Sequence, residues 1–328
     1  LEYVSQLFNF CYTKDFTRDQ LKKEFGMLGI SYNAYSSANR TTFVFEGPEA
    51  NLQKALPIIK ELVYNPKVDQ SSLTTIIDGI KTNRKAETKE PDLMGNMLLM
   101  YAMKGNNSYF LKRTTDKQLA QLKVESIIES IKQTENYATT YHFIGNIQQT
   151  ELKSMLTNTF TADKSSHKVP YLDELRVPIT KNSILMLNDR KAVQSQIYFL
   201  LNTPPFSRNI TDEVNAEAFN SYMSDGFSGI LMQEIREYRS LAYATGGAFI
   251  SPIEKDKPGF FYAYIGCQVD KSNEAISVLD SILVKLPKKP ERLQMVKAGL
   301  INSMSSSYPN FRSISTSIAY GRDLGYTE

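Results

Sequence analysis

A cation and a phenol lie close together in the sequence, at Arg236 and Tyr243, seven residues apart. Residues 228–239 have the apolar periodicity of a helix and the residues after them the alternation of a strand, so a helix-to-strand turn separates the two side chains. A guanidinium and a phenol on one open surface can each donate a hydrogen bond to a peptide carbonyl. The phenol can also stabilise an oxyanion when that carbonyl is attacked. We therefore predict a substrate clamp formed by Arg236 and Tyr243.

The predicted helix places Arg236 at the margin of its buried face. Ser228 is expected to cap the helix, and Leu231, Ile235 and Tyr238 are expected to face the core. Arg236 is turned about 100° from Ile235 by helix geometry, so its side chain can reach solvent.

The strand that follows is predicted to present two unlike faces. Small side chains on one face let a helix pack closely, and the other residues project to the opposite side. The small face consists of Ala242, Ala244, Gly246 and Ala248, and the other face of Tyr243, Thr245 and Phe249.

A structural explanation of the same two residues stands beside the clamp. Arg236 has Glu234 and Glu237 as neighbours, and a solvated ion pair with either contributes little to stability. Tyr243 is then a packing residue. Residue types and spacing alone do not decide between these interpretations.

The overall composition excludes several classes of function. With 38 basic and 35 acidic side chains, the net charge of +3 is too balanced for a nucleic-acid-binding surface. No apolar run approaches the ~20 residues that span a bilayer. His142 and His167 have no Glu or His at metal-binding spacing, and Cys11 and Cys267 are expected to be buried hydrophobes or, alternatively, a disulfide. We expect no metal or other cofactor in this chain, no nucleic-acid partner and no membrane span.

Periodicity divides the chain into two α+β units with the same order of elements. The first half is predicted to run helix, strand, strand, helix, helix, at about 17–27, 31–37, 41–47 and 49–64, with a last helix that contains Leu73 and Ile80. The second half repeats this order, with helical segments at about 210–224 and 228–239, strands at 241–250 and 260–269, and two amphipathic helices that contain Leu279 and Val296. We predict duplicated units, each an antiparallel sheet with helices packed on it.

The first unit is assigned to residues 1–165 and the second to 183–328, with a polar, proline-containing linker at 166–182. Some predicted strands have no counterpart in the other unit. These are Ser183–Leu187 and Gln194–Leu201 before the second unit's helices, and Tyr137–Ile147 near the end of the first. We therefore expect the first unit to be cut at its start, and the second at its end, relative to the natural polypeptide.

The segment around the clamp resembles a signature of the pitrilysin/insulysin family of zinc metallopeptidases. In that family Leu-Arg-x-x-x-x-Leu-Ala/Gly-Tyr marks a helix-to-strand junction of the second half, and Ile235-Arg236 with Leu241-Ala242-Tyr243 is similar to it residue by residue. Other stretches that resemble family motifs are 215–229, where Asp225 and Phe227 replace expected small residues, Leu28–Tyr35, and His142–Ile147. The resemblance covers most of the chain and implies the family's α+β fold.

The same resemblance implies that the first unit lacks the family's zinc site. The family's catalytic helix carries His-x-x-Glu-His, in which two imidazoles bind zinc and the Glu activates water, and a third ligand, a Glu, follows later. The place of the motif falls on Tyr3-Val-Ser-Gln-Leu7 and that of the third ligand near Gly79. None of these residues can replace the ligands. Zinc is expected in an N-terminal His-x-x-Glu-His half or in a partner subunit.

Two functions stay open at this point. The resemblance implies that Arg236 and Tyr243 reach across a chamber closed by two halves, so that the chain binds peptide substrates and stabilises the transition state of a zinc-dependent endopeptidase without being catalytic alone. The alternative is a catalytically silent structural or interaction subunit on the same fold. Independent hydrolysis is disfavoured because no nucleophile, base and orienting group form a recognisable set. The residues do not fix the compartment, and the resemblance permits a bacterial cell envelope or periplasm.

Overall fold

The computed structural model describes residues 2–36, 40–160, 177–190, 192–252 and 254–326. The chain clusters into two compact units, Leu1–Ala86 with Thr114–Leu172, and Glu87–Arg113 with Asp173–Glu328. Most of the linker predicted at 166–182, including His167, lies outside the described residues, so that boundary stays a prediction. The stretch Glu87–Arg113 groups with the second unit although it precedes the predicted linker, because its helix packs on the second unit's sheet.

Helices and short strands follow one another in the predicted order. The elements are α1 (Glu2–Phe8), α2 (Arg18–Leu28), β1 (Ser31–Ser36), β2 (Thr41–Glu46), α3 (Leu52–Tyr64), α4 (Gln70–Glu87), α5 (Pro91–Lys104), α6 (Tyr109–Lys112), α7 (Asp116–Ala120), α8 (Val124–Lys132), α9 (Gln149–Thr159), β3 (Gln194–Phe206), α10 (Ile210–Ser224), a π-helical turn (Met232–Glu237), β4 (Ala244–Ile250), β5 (Lys257–Gln268), α11 (Ser272–Val284), α12 (Pro290–Ser306) and α13 (Ile314–Asp323). Helix, strand, strand, helix, helix recurs in both units. The predicted α+β class with small antiparallel sheets is confirmed.

Aromatic side chains join α1 to the small sheet of the first unit. β1 and β2 pair antiparallel, with Tyr32 opposite Phe45 and Ala34 opposite Phe43. The ring of Phe8, from α1, lies 5.6 Å from that of Tyr32 and 4.7 Å from that of Phe43 between centroids. Edge-to-face and tilted contacts of this kind add to the burial of apolar area. They fix α1 against the two strands.

The central strand of the second unit is β5, which pairs antiparallel with β3 on one side and with β4 on the other. Alternation along β5 gives the sheet two faces. The core face consists of Phe261, Ala263, Ile265 and Cys267, which pack with α10, the π-helical turn, α11 and α12. The tyrosine face consists of Phe260, Tyr262 and Tyr264 of β5 with Tyr198 of β3, and α5 packs on part of it through Leu99 and Met103.

Helix α10 covers the outer edge of β4. The Asn220 side chain accepts a hydrogen bond from the N–H of Phe249 at 2.7 Å and donates to its carbonyl at 3.0 Å. One helical turn later, the Ser224 hydroxyl accepts from the N–H of Gly247 at 2.7 Å and donates to its carbonyl at 2.5 Å. An open strand edge is a site for unwanted pairing, and these two side chains satisfy its backbone groups.

Two predicted strands are wrong. Tyr137–Ile147 has only an isolated bridge at Tyr137, and Ser183–Leu187 has no strand structure, because neither stretch finds a partner strand among the described residues. In the first stretch the N–H of Asn146 is bonded instead by the Glu49 carboxylate at 2.6 Å. In the second, Ile184 is 93% exposed, so its apolar side chain does not pack against another layer. The predicted strand Gln194–Leu201 is confirmed and extends to Phe206 as β3.

Candidate functional site

Arg236 lies on a π-helical turn and not on the α-helix that the sequence predicts. The turn spans Met232–Glu237, and the N–H of Tyr238 donates to the carbonyl of Gln233, five residues earlier, at 2.9 Å. Such a bond adds a residue to the turn, so the side chains after it leave the α-helical period. Tyr238 is consequently 63% exposed. The prediction that it faces the core is wrong, whereas Ile235 is buried as predicted.

The loop before this turn is held by Arg292 of α12. The buried guanidinium donates from Nη2 to the carbonyls of Ser221 (2.6 Å) and Asp225 (3.3 Å), and from Nη1 to the Ser228 hydroxyl. The Ser228 hydroxyl donates to the Asp225 carbonyl at 3.4 Å and bonds no N–H of the helix. Its predicted role as a helix cap is wrong. Hydrogen bonds from a charged, buried donor are among the stronger ones, so Arg292 fixes the entry to the Arg236 turn.

A carboxylate on the same turn is paired with Lys289, which precedes α12, and with Arg239. The Glu234 carboxylate accepts from Lys289 Nζ and from Arg239 Nη1, each at 2.8 Å. Burial raises the pKa of Glu234, but the hydrogen bonds from Lys289 and Arg239 outweigh it and leave that pKa below its usual range. Glu234 therefore stays charged at neutral pH and is committed to these two partners.

The Arg236 side chain makes only weak contacts and is 40% exposed. Its Nε lies 3.7 Å from Glu237 Oε1, and its Nη1 lies 3.8 Å from the Met232 sulfur. Neither is a strong hydrogen bond, and Glu237 is itself 47% exposed, so the ion pair is a solvated one. The guanidinium keeps donors that a ligand can use.

The connection from Arg236 to Tyr243 is a closed turn. Ser240 has a left-handed backbone with φ +52°, which costs a non-glycine residue roughly 1–2 kcal/mol. Its N–H donates to the Arg236 carbonyl at 2.9 Å, and the N–H of Leu241 donates to the Ile235 carbonyl at 3.0 Å. Leu241 is buried in the core. These bonds and the burial of Leu241 set the separation between the guanidinium and the phenol.

Tyr243 has its backbone and its ring fixed by β5. Its N–H donates to the Gly266 carbonyl at 2.9 Å. Its ring lies across Gly266, where a methyl group in place of hydrogen would be 2.6 Å from both Cζ and Oη of Tyr243. The hydroxyl oxygen of Tyr264 lies beside the same point, also 2.6 Å from where that methyl carbon would be. The Tyr243 side chain nevertheless remains 43% exposed, so the phenol is anchored on one side and open to solvent on the other.

The predicted division of strand faces is wrong around Tyr243. Phe249 packs into the core, while the Tyr243 ring lies on the tyrosine face with Tyr264. Both Tyr243 and Ala244 stand opposite Gly266, the first through its hydrogen bond and the second through the strand register. The alternation therefore breaks just before β4 begins.

Sequence reasoning missed the residues behind Tyr243. Tyr198 lies opposite Tyr264 with 5.1 Å between ring centroids, and the Gln196 amide donates to the Asp92 carboxylate. Burial raises the pKa of Tyr198, and the charges of Asp92, Tyr262 and Tyr243 add to that. The alternation Phe260, Tyr262, Tyr264 along β5 was a signal for this face, but nothing in the sequence connects it to Asp92, which lies on α5.

Arg236 and Tyr243 are thus placed at the two ends of one turn, with both side chains open to solvent. Among the described hydrogen bonds and ion pairs, none joins the two side chains to each other. Both can donate to a carbonyl or a carboxylate. The two side chains remain available to an external group, and their roles stay a prediction.

The residues at the place of the family's zinc motif do not fit a metal. The segment from Tyr3 to Leu7 lies in α1, where Val4 and Leu7 are buried in the first core and Tyr3 packs against it. Throughout the part of the chain that the structure describes, no three His, Cys, Asp or Glu side chains are grouped to hold a metal ion. Both cysteines are free and buried, as predicted, and burial raises the pKa of the Cys11 thiol to about 12.

Among the helices that the structure describes, none is both long and apolar enough to cross a bilayer.

These features define a peptidase-like pair of α+β units in which the first unit lacks the zinc-binding motif. The family model described as the peptidase M16 inactive domain matches residues 136–300, and that described as insulinase (peptidase family M16) matches residues 3–116. The chain belongs to peptidase family M16. The resemblance seen in the sequence is thereby confirmed. No curated protein sequence gave a significant match.

Several solved structures share the fold. The periplasmic protease PqqL from Escherichia coli is 14% identical, with a TM-score of 0.78 over 98% of this chain and 36% of its own. The ferredoxin protease FusC, solved as a point mutant in complex with Arabidopsis ferredoxin, is 12% identical, with a TM-score of 0.79 over 99% of this chain and 36% of its own. A peptidase M16 inactive domain from Pseudomonas fluorescens is 15% identical, with a TM-score of 0.66 over 99% of this chain and 81% of its own. The chain therefore spans about a third of the length of the PqqL and FusC chains.

Proposed function

We propose that this chain is the substrate-binding and transition-state-stabilising half of a zinc-dependent endopeptidase that cleaves peptides. Zinc and the water-activating Glu belong to a separate His-x-x-Glu-His half, in the same polypeptide or in a partner subunit. Zinc there supplies Lewis-acid polarisation and an activated water. The residues of this chain supply hydrogen-bond donors and position the peptide.

The observation that carries this proposal is the state of the Arg/Tyr pair. The Tyr243 ring is held over Gly266 with its side chain still 43% exposed, whereas the Arg236 guanidinium makes only weak contacts and keeps its donors available. A donor that is fixed before substrate arrives needs no reorganisation when charge develops, which is the physical basis of oxyanion stabilisation, and Tyr243 meets that condition. We assign the Tyr243 hydroxyl to the carbonyl oxygen that becomes negative and the Arg236 guanidinium to a neighbouring carbonyl of the bound peptide.

The test is Tyr243→Phe in the native enzyme that contains this chain. Removing one such donor typically lowers kcat by about 10²–10³-fold, and we expect a loss of this size with an unchanged thermal midpoint. Tyr238→Phe is the matched control, because it removes an exposed phenol from the same turn, and we expect it to leave kcat within about twofold. Turnover of Tyr243→Phe equal to wild type contradicts the proposal.

Arg236→Gln tests whether Arg236 binds the peptide or stabilises the transition state. A residue that binds the peptide equally in the ground and transition states changes KM and leaves kcat in place. We expect this variant to raise KM for peptides more than it lowers kcat. A loss confined to kcat contradicts the assignment of Arg236 to binding.

The second candidate function is a catalytically silent structural or interaction subunit. The first unit favours it, because core residues occupy the place of the zinc motif. It predicts that neither Tyr243→Phe nor Arg236→Gln affects any peptide cleavage by the assembly. Zinc-dependent cleavage that is lost in Tyr243→Phe excludes this candidate.

A further inference from the structure

Gly266 provides the space in which two phenols meet. It lies on the tyrosine face of β5, directly after Tyr264 and Ile265 in the chain and opposite Ala244 of β4. A methyl group at this position would lie 2.6 Å from the hydroxyl oxygens of both Tyr243 and Tyr264. Real side-chain carbons do not approach other atoms so closely, so the two hydroxyls occupy a place that only glycine leaves open at this point of the strand.

Tyr264 is better fixed than Tyr243. It lies within β5, which has a strand on each side, and its ring packs against Tyr198 with 5.1 Å between centroids. Tyr243 precedes β4, and its N–H is bonded to the Gly266 carbonyl of β5. A hydrogen bond between the two hydroxyls therefore restricts the motion of the Tyr243 ring, because Tyr264 is itself held in the central strand.

We propose that Tyr264 is the positioning residue for Tyr243: its hydroxyl donates to the Tyr243 oxygen and directs the Tyr243 O–H outward, toward the peptide. A phenol is both donor and acceptor, so accepting one hydrogen bond leaves Tyr243 with its own proton to give. Tyr264 itself does not touch substrate. The catalytic part of this inference rests on the proposed function, whereas the positioning of one ring by the other does not.

The surroundings of Tyr264, burial above all, keep its hydroxyl protonated. Burial, the hydrogen bond with Tyr243 and the nearby charges of Tyr243, Tyr198 and Asp92 raise the pKa of Tyr264 above its ordinary value. The Asp92 carboxylate comes from the first turn of α5 and is bonded by the Gln196 amide. Tyr264 therefore stays a neutral donor throughout the pH range in which peptidases work.

A double-mutant cycle in the native enzyme tests the catalytic part. We expect Tyr264→Phe to lower kcat about tenfold, equivalent to about 1.4 kcal/mol, with KM unchanged. In a Tyr243→Phe background the same substitution is expected to change kcat less than about twofold, because Tyr264 acts through Tyr243. Equal effects in the two backgrounds overturn the proposal. Tyr262→Phe is the matched control, since it removes a hydroxyl from the same face of the same strand, and we expect wild-type kcat.

A measurement on the 328-residue chain alone tests the positioning without any activity. With tyrosines isotope-labelled at Cζ, nuclear magnetic resonance at neutral pH follows the Cζ resonance of Tyr264, assigned by its loss in Tyr264→Phe. Tyr243→Phe keeps the neighbouring ring and removes only its hydroxyl, so we expect it to move the Tyr264 resonance, because Cζ carries the oxygen that donates the hydrogen bond. An unchanged resonance means that the hydroxyls do not interact and overturns the inference. If the resonance moves but Tyr243→Phe leaves turnover unaffected, the positioning stands and the proposed peptidase role fails.

Discussion

The two faces of the second unit's sheet differ although they share every strand. On the core face, Ile265 and Ala263 are fully buried in an apolar cluster. On the tyrosine face, Tyr264 and Tyr198 are only half-buried, and their rings lie 5.1 Å apart between centroids. The first face contributes free energy of folding through burial, and the second holds hydrogen-bond donors in place. In β5, the residues that face the core therefore stabilise the unit, and the residues that alternate with them position the candidate site.

The largest effect on stability is expected from the core face. Ile265→Ala removes buried methyl and methylene groups from a filled core, and such substitutions cost about 2–5 kcal/mol. Urea unfolding of the 328-residue chain measures the free energy of unfolding. Ile265→Val is the graded control, with an expected loss of about 0.5–1.5 kcal/mol. A loss below about 1 kcal/mol in Ile265→Ala would show that this face is not the one that stabilises the unit.

Two glycines of the sheet sharpen the comparison. A methyl group at Gly247 would lie 2.8 Å from the Tyr262 carbonyl oxygen and 3.0 Å from Leu231 Cδ1, so it meets backbone and core. We expect Gly247→Ala to cost about 1–3 kcal/mol of unfolding free energy. At Gly266 the three atoms nearest the methyl group are at the ends of tyrosine side chains, which can move.

Gly266→Ala is therefore expected to cost less than about 1 kcal/mol while displacing the Tyr243 ring. Crystal structures and unfolding curves of Gly247→Ala and Gly266→Ala show whether each substitution destabilises the fold or moves the Tyr243 ring. Equal destabilisation by the two substitutions, or an unmoved Tyr243 ring in Gly266→Ala, contradicts the difference between the faces.

A small effect that depends on pH is expected from the charged contact that fixes the Arg236 turn. The pKa of Glu234 is below its usual range, so its contribution to stability is present above the unfolded-state pKa and is lost as pH falls through the folded-state pKa. Glu234→Gln removes the charge. We expect it to cost about 1 kcal/mol at neutral pH and nothing at a pH where the wild-type carboxyl is protonated. Unfolding curves of both proteins from neutral to acidic pH check this, and a constant difference across that range contradicts it.

The sequence predicted secondary structure more accurately where the pattern depends only on neighbouring residues than where it depends on distant contacts. Helices α2 and α10 fall within about a residue of their predicted ends because their apolar residues repeat at helical spacing. Tyr137–Ile147 and Ser183–Leu187 alternate like strands, but a strand also needs a partner, which alternation cannot supply. The predicted helix around Arg236 failed for a related reason: its π-helical turn is set by the burial of Leu231 and Ile235 and by the bonds of Arg292, and these contacts come from distant parts of the chain.

By itself the sequence determined the α+β order of elements, the absence of zinc ligands from the segment Tyr3–Leu7, and the spacing that singled out Arg236 and Tyr243. All three are properties of residues that are close in the chain, so periodicity and spacing reveal them. Only the tertiary structure decided which face the Tyr243 ring takes and what lies behind it. Gly266 is distant from Tyr243 along the chain, and the Gln196 amide meets a carboxylate 104 residues away. Contacts across such separations depend on strand register and helix packing, which no local pattern encodes.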